Sequence, residues 1–263
     1  MRNILFVMGV ILLCAVVTPA SPGGSSVPRD SDPVEDGIRQ AADAGKYAVV
    51  IFHRQSDPVL ETQKNVQAAL KDALEQVEIL TVDVEDKASA KTVQTYGVQQ
   101  APMPLILVIA PNGAVTGGFQ GSFEPDALKE SLASRNFASC IKSIQEGKLV
   151  FIAIGGTNAA ATETALTAVN EMMADPRFKD YSAMIKLQPH DTESRDLLVK
   201  LNVPDSEADP VTVMLAPPGR IIGSYKGVVS KDQMVNDLIR AMSGSTCGGG
   251  GGGCGPRSRG CGI

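Results

Sequence analysis

The chain of 263 residues has no Trp, only 4% aromatic residues and only two His. That poverty removes the stacking platforms with which single-stranded nucleic acids and sugars are gripped. The net charge is −5 and Lys and Arg form no long run, which argues against a nucleic-acid surface. None of the five cysteines forms a Cys-x-x-Cys pair. There is no Ser-His-Asp ordering, no His-x₃-His pair and no phosphate loop. Gly155-Gly156 follows an apolar run but lacks the further glycine and acidic spacing of a dinucleotide fingerprint, and reads as a turn. Long apolar runs are scarce as well. After the N-terminus, no segment is long and apolar enough to cross a bilayer.

What is present begins with a leader. Arg2, an apolar stretch from Ile4 to Val17 and the small-residue exit Thr18-Pro19-Ala20 read as a signal peptide over 1–20. The expected location is therefore outside the cytoplasm, periplasmic or secreted. Cys14 raises the alternative of a lipid attachment, but Leu13 precedes it where a small residue is wanted. A Pro/Gly/Ser-rich linker follows over 21–33. Hydrophobic residues make up 43% and charged residues 20%, enough for ordinary globular cores.

The chain then repeats itself at a period slightly above 100 residues. The run from Pro104 to Phe123 matches that from Pro210 to Val229 without a gap, pairing Gly113 with Gly219, Gly117 with Gly223, Phe119 with Tyr225 and Gly121 with Gly227. Upstream, the block from Asp86 matches that from Asp191, and Gly45-Lys46 opens a strand-like run as Gly147-Lys148 does. Tyr47 to Phe52 and Leu149 to Ile154 are continuous apolar runs, as strands buried on both faces require. Asp57 reads as the N-cap of a helix with Pro58 in its first position. A short helix from Ala88 ends at Gly97, where the second unit has Asn202, the two residues most tolerant of a left-handed helix end. Pro111-Asn112-Gly113 and Pro217-Pro218-Gly219 join antiparallel strands, and Ser230 with Gln233 opens the last helix. The order per unit is β-α-β-α-β-β-α, preceded by a short helix.

That order resembles the thioredoxin fold, and the resemblance spans both units, 34–135 and 136–243. Its strongest carrier is the proline opening the third strand nine residues before a turn glycine, Pro104…Gly113 and Pro210…Gly219. The fold class is accordingly α/β: two tandem thioredoxin-like domains, each a central mixed sheet flanked by helices. The resemblance implies cis bonds at Met103–Pro104 and Asp209–Pro210, with Pro102 as an alternative register. It also implies a redox pair just past the first strand. The residues there are Asp57-Pro58-Val59-Leu60 and Ala159-Ala160-Ala161-Thr162, without a thiol. The activity is thus removed while the fold stays.

By the same resemblance, the groove that binds extended peptide is expected at Met103, Pro104, Asp209 and Pro210, with His53 and Asp57 at its mouth. Cys140 aligns with Ile38 and reads as a buried helix residue. The Gly-rich tail over 244–263 reads as a disordered low-complexity segment, and its Cys247, Cys254 and Cys261 are also candidates for thiol chemistry or for a soft metal, Cu or Zn. No other cofactor is expected. The reading is a non-catalytic, exported, peptide- or protein-binding module, with no nucleic acid partner and no membrane span after the leader. The alternative is a redox or soft-metal protein acting through its tail, and a thiol–disulfide oxidoreductase if it is an enzyme at all.

Overall fold

The structure, a computed structural model, describes residues 32–188, 192–203 and 208–243. The apolar runs become the middle of two four-stranded sheets. In the first unit, β1 (Tyr47–His53) and β3 (Leu105–Ile109) are central, flanked by β2 (Val77–Asp83) and β4 (Val115–Gln120) in the order β2-β1-β3-β4. β1 runs parallel to β2 and antiparallel to β3, so the sheet is mixed. In the second unit, β5 (Leu149–Ile154), β6 (Ser182–Leu187), β7 (Val211–Ala216) and β8 (Arg220–Lys226) repeat the pattern as β6-β5-β7-β8. A β-bulge falls at Val108/Ile109 in one sheet and at Met214/Leu215 in the other, the same place in the repeat.

Continuous apolarity serves two cores per sheet. Ala48, Val50 and Phe52 of β1 join Leu105, Leu107 and Ile109 of β3 on one face, while Val49, Ile51, Ile106 and Val108 fill the other. In the second unit Val150, Ile152 and Ile154 take one face, and Leu149 and Phe151 the other. Each Val, Leu, Ile or Phe among them, fully buried, contributes about 1.5–3 kcal/mol of transfer free energy.

The helices cover both faces. α1 (Pro33–Asp43), α2 (Val59–Ala69), α3 (Ala90–Thr95) and α4 (Pro125–Glu130) belong to the first unit; α5 (Arg135–Gln145), α6 (Ala159–Ala174), α7 (Arg195–Lys200) and α8 (Lys231–Ser243) to the second. Asp32 and Pro33, read in sequence as the end of the linker, cap and open α1, and the second unit opens with α5 on the cap Ser134. Gly97 and Asn202 both take positive φ, as their shared position at a helix end demands. Ser230 Oγ accepts from Gln233 N at 3.2 Å, capping α8. Gly117 and Gly223 are small for a common reason. A Cβ on Gly223 would come 2.5 Å from Tyr225 Cζ, and one on Gly117 would come 2.6 Å from Ser131 Cβ and 3.1 Å from the Phe119 ring.

The two domains meet through α5. Its far side packs on β4, where Gln145 accepts from Val115 N at 3.1 Å and donates to Val115 O at 2.8 Å. Ala138 closes against Ala110 and Ala114, with Tyr47 and Ile141 beside them. The Tyr47 hydroxyl donates to Ala133 O in the connection between the domains.

Candidate functional site

The strand order brings the residues after β1 to the residues before β3, and those after β5 to those before β7. Each unit thus places its helix-opening tetrad beside its proline. His53, Asp57, Met103 and Pro104 gather at one end of the first sheet, while Asp209 and Pro210 lie at the same end of the second. The two ends are built differently.

In the first unit the loop after β1 closes on itself. Arg54 N donates to Asp57 Oδ2 at 2.6 Å and Asp57 N to Arg54 O at 3.0 Å. That employs the carboxylate expected to cap the helix. α2 starts at Val59, and its cap position is Pro58 with no side-chain hydrogen bond. The expected Asp57 cap is corrected for that reason. His53 Nδ1 lies 3.1 Å from Arg54 O, so its ring follows the same loop. With the loop drawn inward, the proline side stays open. Met103 and Pro104 are half-buried, Leu60 is 71% exposed, and no hydrogen bond to the Met103 backbone is formed among the described residues. The Met103–Pro104 bond is cis, which settles the register in favour of Pro104 over Pro102.

In the second unit the equivalent loop is laid across the proline. Gly156 approaches the segment before β7 so closely that a Cβ would meet Ala208 O at 2.6 Å and Pro210 N at 2.8 Å. At Gly156 two backbones therefore pass so closely that only glycine fits, and the expectation of a simple turn at Gly155-Gly156 is corrected. Asn158 N donates to Ala208 O at 3.1 Å. Thr162, at the last position of the tetrad, accepts from Gly156 N at 3.1 Å and donates to Asn158 O at 2.9 Å, tying the loop to α6. Pro210 is buried beneath it. The Asp209–Pro210 bond is not cis, contrary to expectation: the chain enters β7 held by Asn158, along a path the first unit does not share. A cis bond occurs instead at Pro217–Pro218, in the β7–β8 turn.

Below the second loop lies a cavity of about 50 Å³ lined by Ala153, Thr162, Ala165, Lys186, Gln188 and Thr212 among others. Its origin is a cross-strand pair. Ile51 faces Ile106 in the first sheet, and Ala153 faces Thr212 in the second. A larger cleft of about 1210 Å³ opens between the domains, with Tyr47, Arg135, Glu193, Arg195, Asp196 and Lys200 on its walls. Burial raises the Tyr47 phenol, and the carboxylates of Asp196 and Glu193 raise it further. Sequence reasoning missed both spaces, because each arises from side chains far apart in the chain.

Cys140 is buried in α5, where burial pushes its thiol up to about 12, so it stays protonated. It is structural, as its alignment with Ile38 implied. Among the described residues no cluster of three metal-ligating side chains occurs, and no helix is long and apolar enough to cross a membrane. The leader over 1–20, the linker up to residue 31, His190, and the tail with Cys247, Cys254 and Cys261 lie outside the described residues.

No family model matches the sequence, and no curated protein matches it. Solved structures do. The chain is similar to thioredoxin from Fasciola hepatica, 25% identical over 38% of this chain and 88% of that one, with a TM-score of 0.30. It is similar to human ERp44 in a zinc-bound form, 12% identical over 80% of this chain and 59% of that one, TM-score 0.32. It is also similar to the first two thioredoxin domains of Eps1p from Saccharomyces cerevisiae, 11% identical over 83% and 99% of the two chains, TM-score 0.27. The strand order β2-β1-β3-β4, met twice with helices on both faces, is that of two thioredoxin-like domains in tandem.

Proposed function

We propose that this is an exported, non-catalytic tandem thioredoxin-like protein whose first domain binds extended peptide or an extended segment of a protein. The observation that carries the reading is the unpaired backbone at Met103, just before β3 and beside Pro104. Its N–H and C=O are left for an incoming strand, and pairing with such backbone groups gives affinity through main-chain hydrogen bonds. Leu60 and Met103 supply apolar surface for side chains of the peptide. The absence of thiols at 57–60 and 159–162 supports recognition without exchange, since disulfide chemistry needs a thiolate at that place.

The test uses the full chain and a fluorescein-labelled peptide of alternating Val and Lys. Binding with protection of the Met103 amide, weakened about tenfold by Leu60→Asp, is the expected result. Binding that ignores Leu60→Asp and leaves the Met103 amide unchanged would overturn the groove assignment. Insulin reduction by the intact chain above the buffer rate would overturn the non-catalytic part, and loss of that rate on removing residues 244–263 would trace it to the tail cysteines.

A further inference from the structure

The second groove has the same frame as the first and a different occupant. Where the first unit has Arg54 and Ser56, the second has Gly156 and Asn158, and those two residues make the contact with the strand edge. A side chain at 156 would collide with the Ala208–Pro210 backbone, as its Cβ alone would lie 2.6 Å from Ala208 O. Asn158 N takes up the Ala208 carbonyl as a bound strand would. The loop is also fastened from behind, through Thr162 and through Asn158 Oδ1, which accepts from Ala161 N at 3.1 Å.

We propose that Gly156–Asn158 is a built-in ligand of the second groove, an autoinhibitory contact that keeps extended peptide from the Ala208–Pro210 edge. The contact belongs to the loop itself, whereas its consequence for peptides rests on the peptide-binding reading of the first domain. Releasing the loop then creates a second site on the same chain. Arg54 in the first unit is the natural counterpart of the released state, since its side chain stands at the position where only glycine permits closure.

Two alanine variants one residue apart separate this from a loss of folding. A Cβ on Gly155 meets nothing nearer than 3.5 Å, so Gly155→Ala should leave the loop seated. Gly156→Ala should lift it. In hydrogen exchange on the full chain, the Asn158 amide should be protected in the wild type and in Gly155→Ala, and exchange at least about tenfold faster in Gly156→Ala. With the alternating Val/Lys peptide as probe, Gly156→Ala should gain a second binding event. Asn158→Pro gives a second route. The φ of residue 158 lies close to the value that proline fixes. The change deletes only the donor to Ala208 and the side-chain cap, so it too should gain the second event. Unchanged Asn158 protection in Gly156→Ala would overturn the contact itself. A lifted loop with one binding event, equal to wild type, would overturn autoinhibition while leaving the first groove intact. No peptide binding by any form would overturn the reading of the first groove, and the autoinhibitory role with it.

Discussion

The two domains solve one problem in opposite ways at the start of their first helices. Asp32 caps α1, accepting from Val34 N at 2.9 Å and Glu35 N at 3.3 Å, and also reaches α3 by accepting from Thr92 N at 2.7 Å. In the second domain the cap is Ser134, and the carboxylate sits on the other helix. Asp196 of α7 accepts from Ser134 N at 3.0 Å and from Ser134 Oγ at 2.6 Å. The helix pair is stapled in both, with donor and acceptor exchanged. The same freedom appears beside the prolines, where one loop turns inward on Asp57 and the other reaches across to Ala208. A repeated frame therefore constrains where an interaction is needed and leaves open which residue supplies it.

Four experiments press on that comparison. The largest effect should come from the core. Phe52→Ala removes a fully buried ring from the first domain and should cost that domain about 3–5 kcal/mol. Urea unfolding followed by hydrogen exchange should show the first domain melting earlier, and protection in α5 falling with it, because α5 rests on β4. Unaltered protection of α5 would mean that the domains are energetically separate.

Next, Gly223→Ala and Gly117→Ala should each cost about 1–3 kcal/mol through overpacking. The change in the second domain should be the more severe, since the Tyr225 ring crosses Gly223 and its hydroxyl is held on Asp237 Oδ2 at 3.0 Å. Thermal melts of the two variants give the order.

The staple has a pH dependence whose sign follows from its carboxylate. Burial raises the Asp32 pKa, but hydrogen bonds from Thr92, Glu35 and Val34 outweigh burial and hold it below the ordinary value. A carboxyl depressed in the folded state stabilises above its unfolded pKa, about 4, and that contribution fades as the pH falls through the folded value. Asp32→Asn should flatten the acid slope of the first domain and cost about 1–3 kcal/mol at neutral pH. Ser134→Ala should cost about 1 kcal/mol. Melting temperatures at neutral pH and in acid test both.

The smallest effect is a gain. Thr212→Ile or Ala153→Val, restoring toward Ile51 and Ile106, should fill part of the cavity and stabilise the second domain by about 0.5–2 kcal/mol. A loss of stability on filling would show that the space holds ordered water on Thr162 and Thr212.

The frame was legible in the sequence because burial on both faces leaves continuous apolar runs and because Gly97, Asn202 and the turn glycines answer to backbone geometry alone. Met103–Pro104 was legible through the resemblance. What escaped were the interactions settled by competition among groups near in space. Asp57 has the chemistry of a helix cap, yet the amide of Arg54 reaches it first. Gly155-Gly156 looks like any turn until Ala208, far along the chain, is set against it. The same contact lies at the expected groove beside Pro210.

The helix that joins the domains serves two partners. α5 is apolar on two sides, with Cys140 and Ile144 turned to its own sheet and Ala138 and Ile141 toward β4. Its counterpart α1 carries Asp36, Arg39 and Asp43 where α5 has Ala138, Ile141 and Gln145, with Arg39 paired to Asp36 at 2.6 Å. At the other end, Arg220 stands where the first domain has Ala114, and its guanidinium reaches Ala241 O. Among the described residues, the joint that couples the two units thus has no second copy of either half.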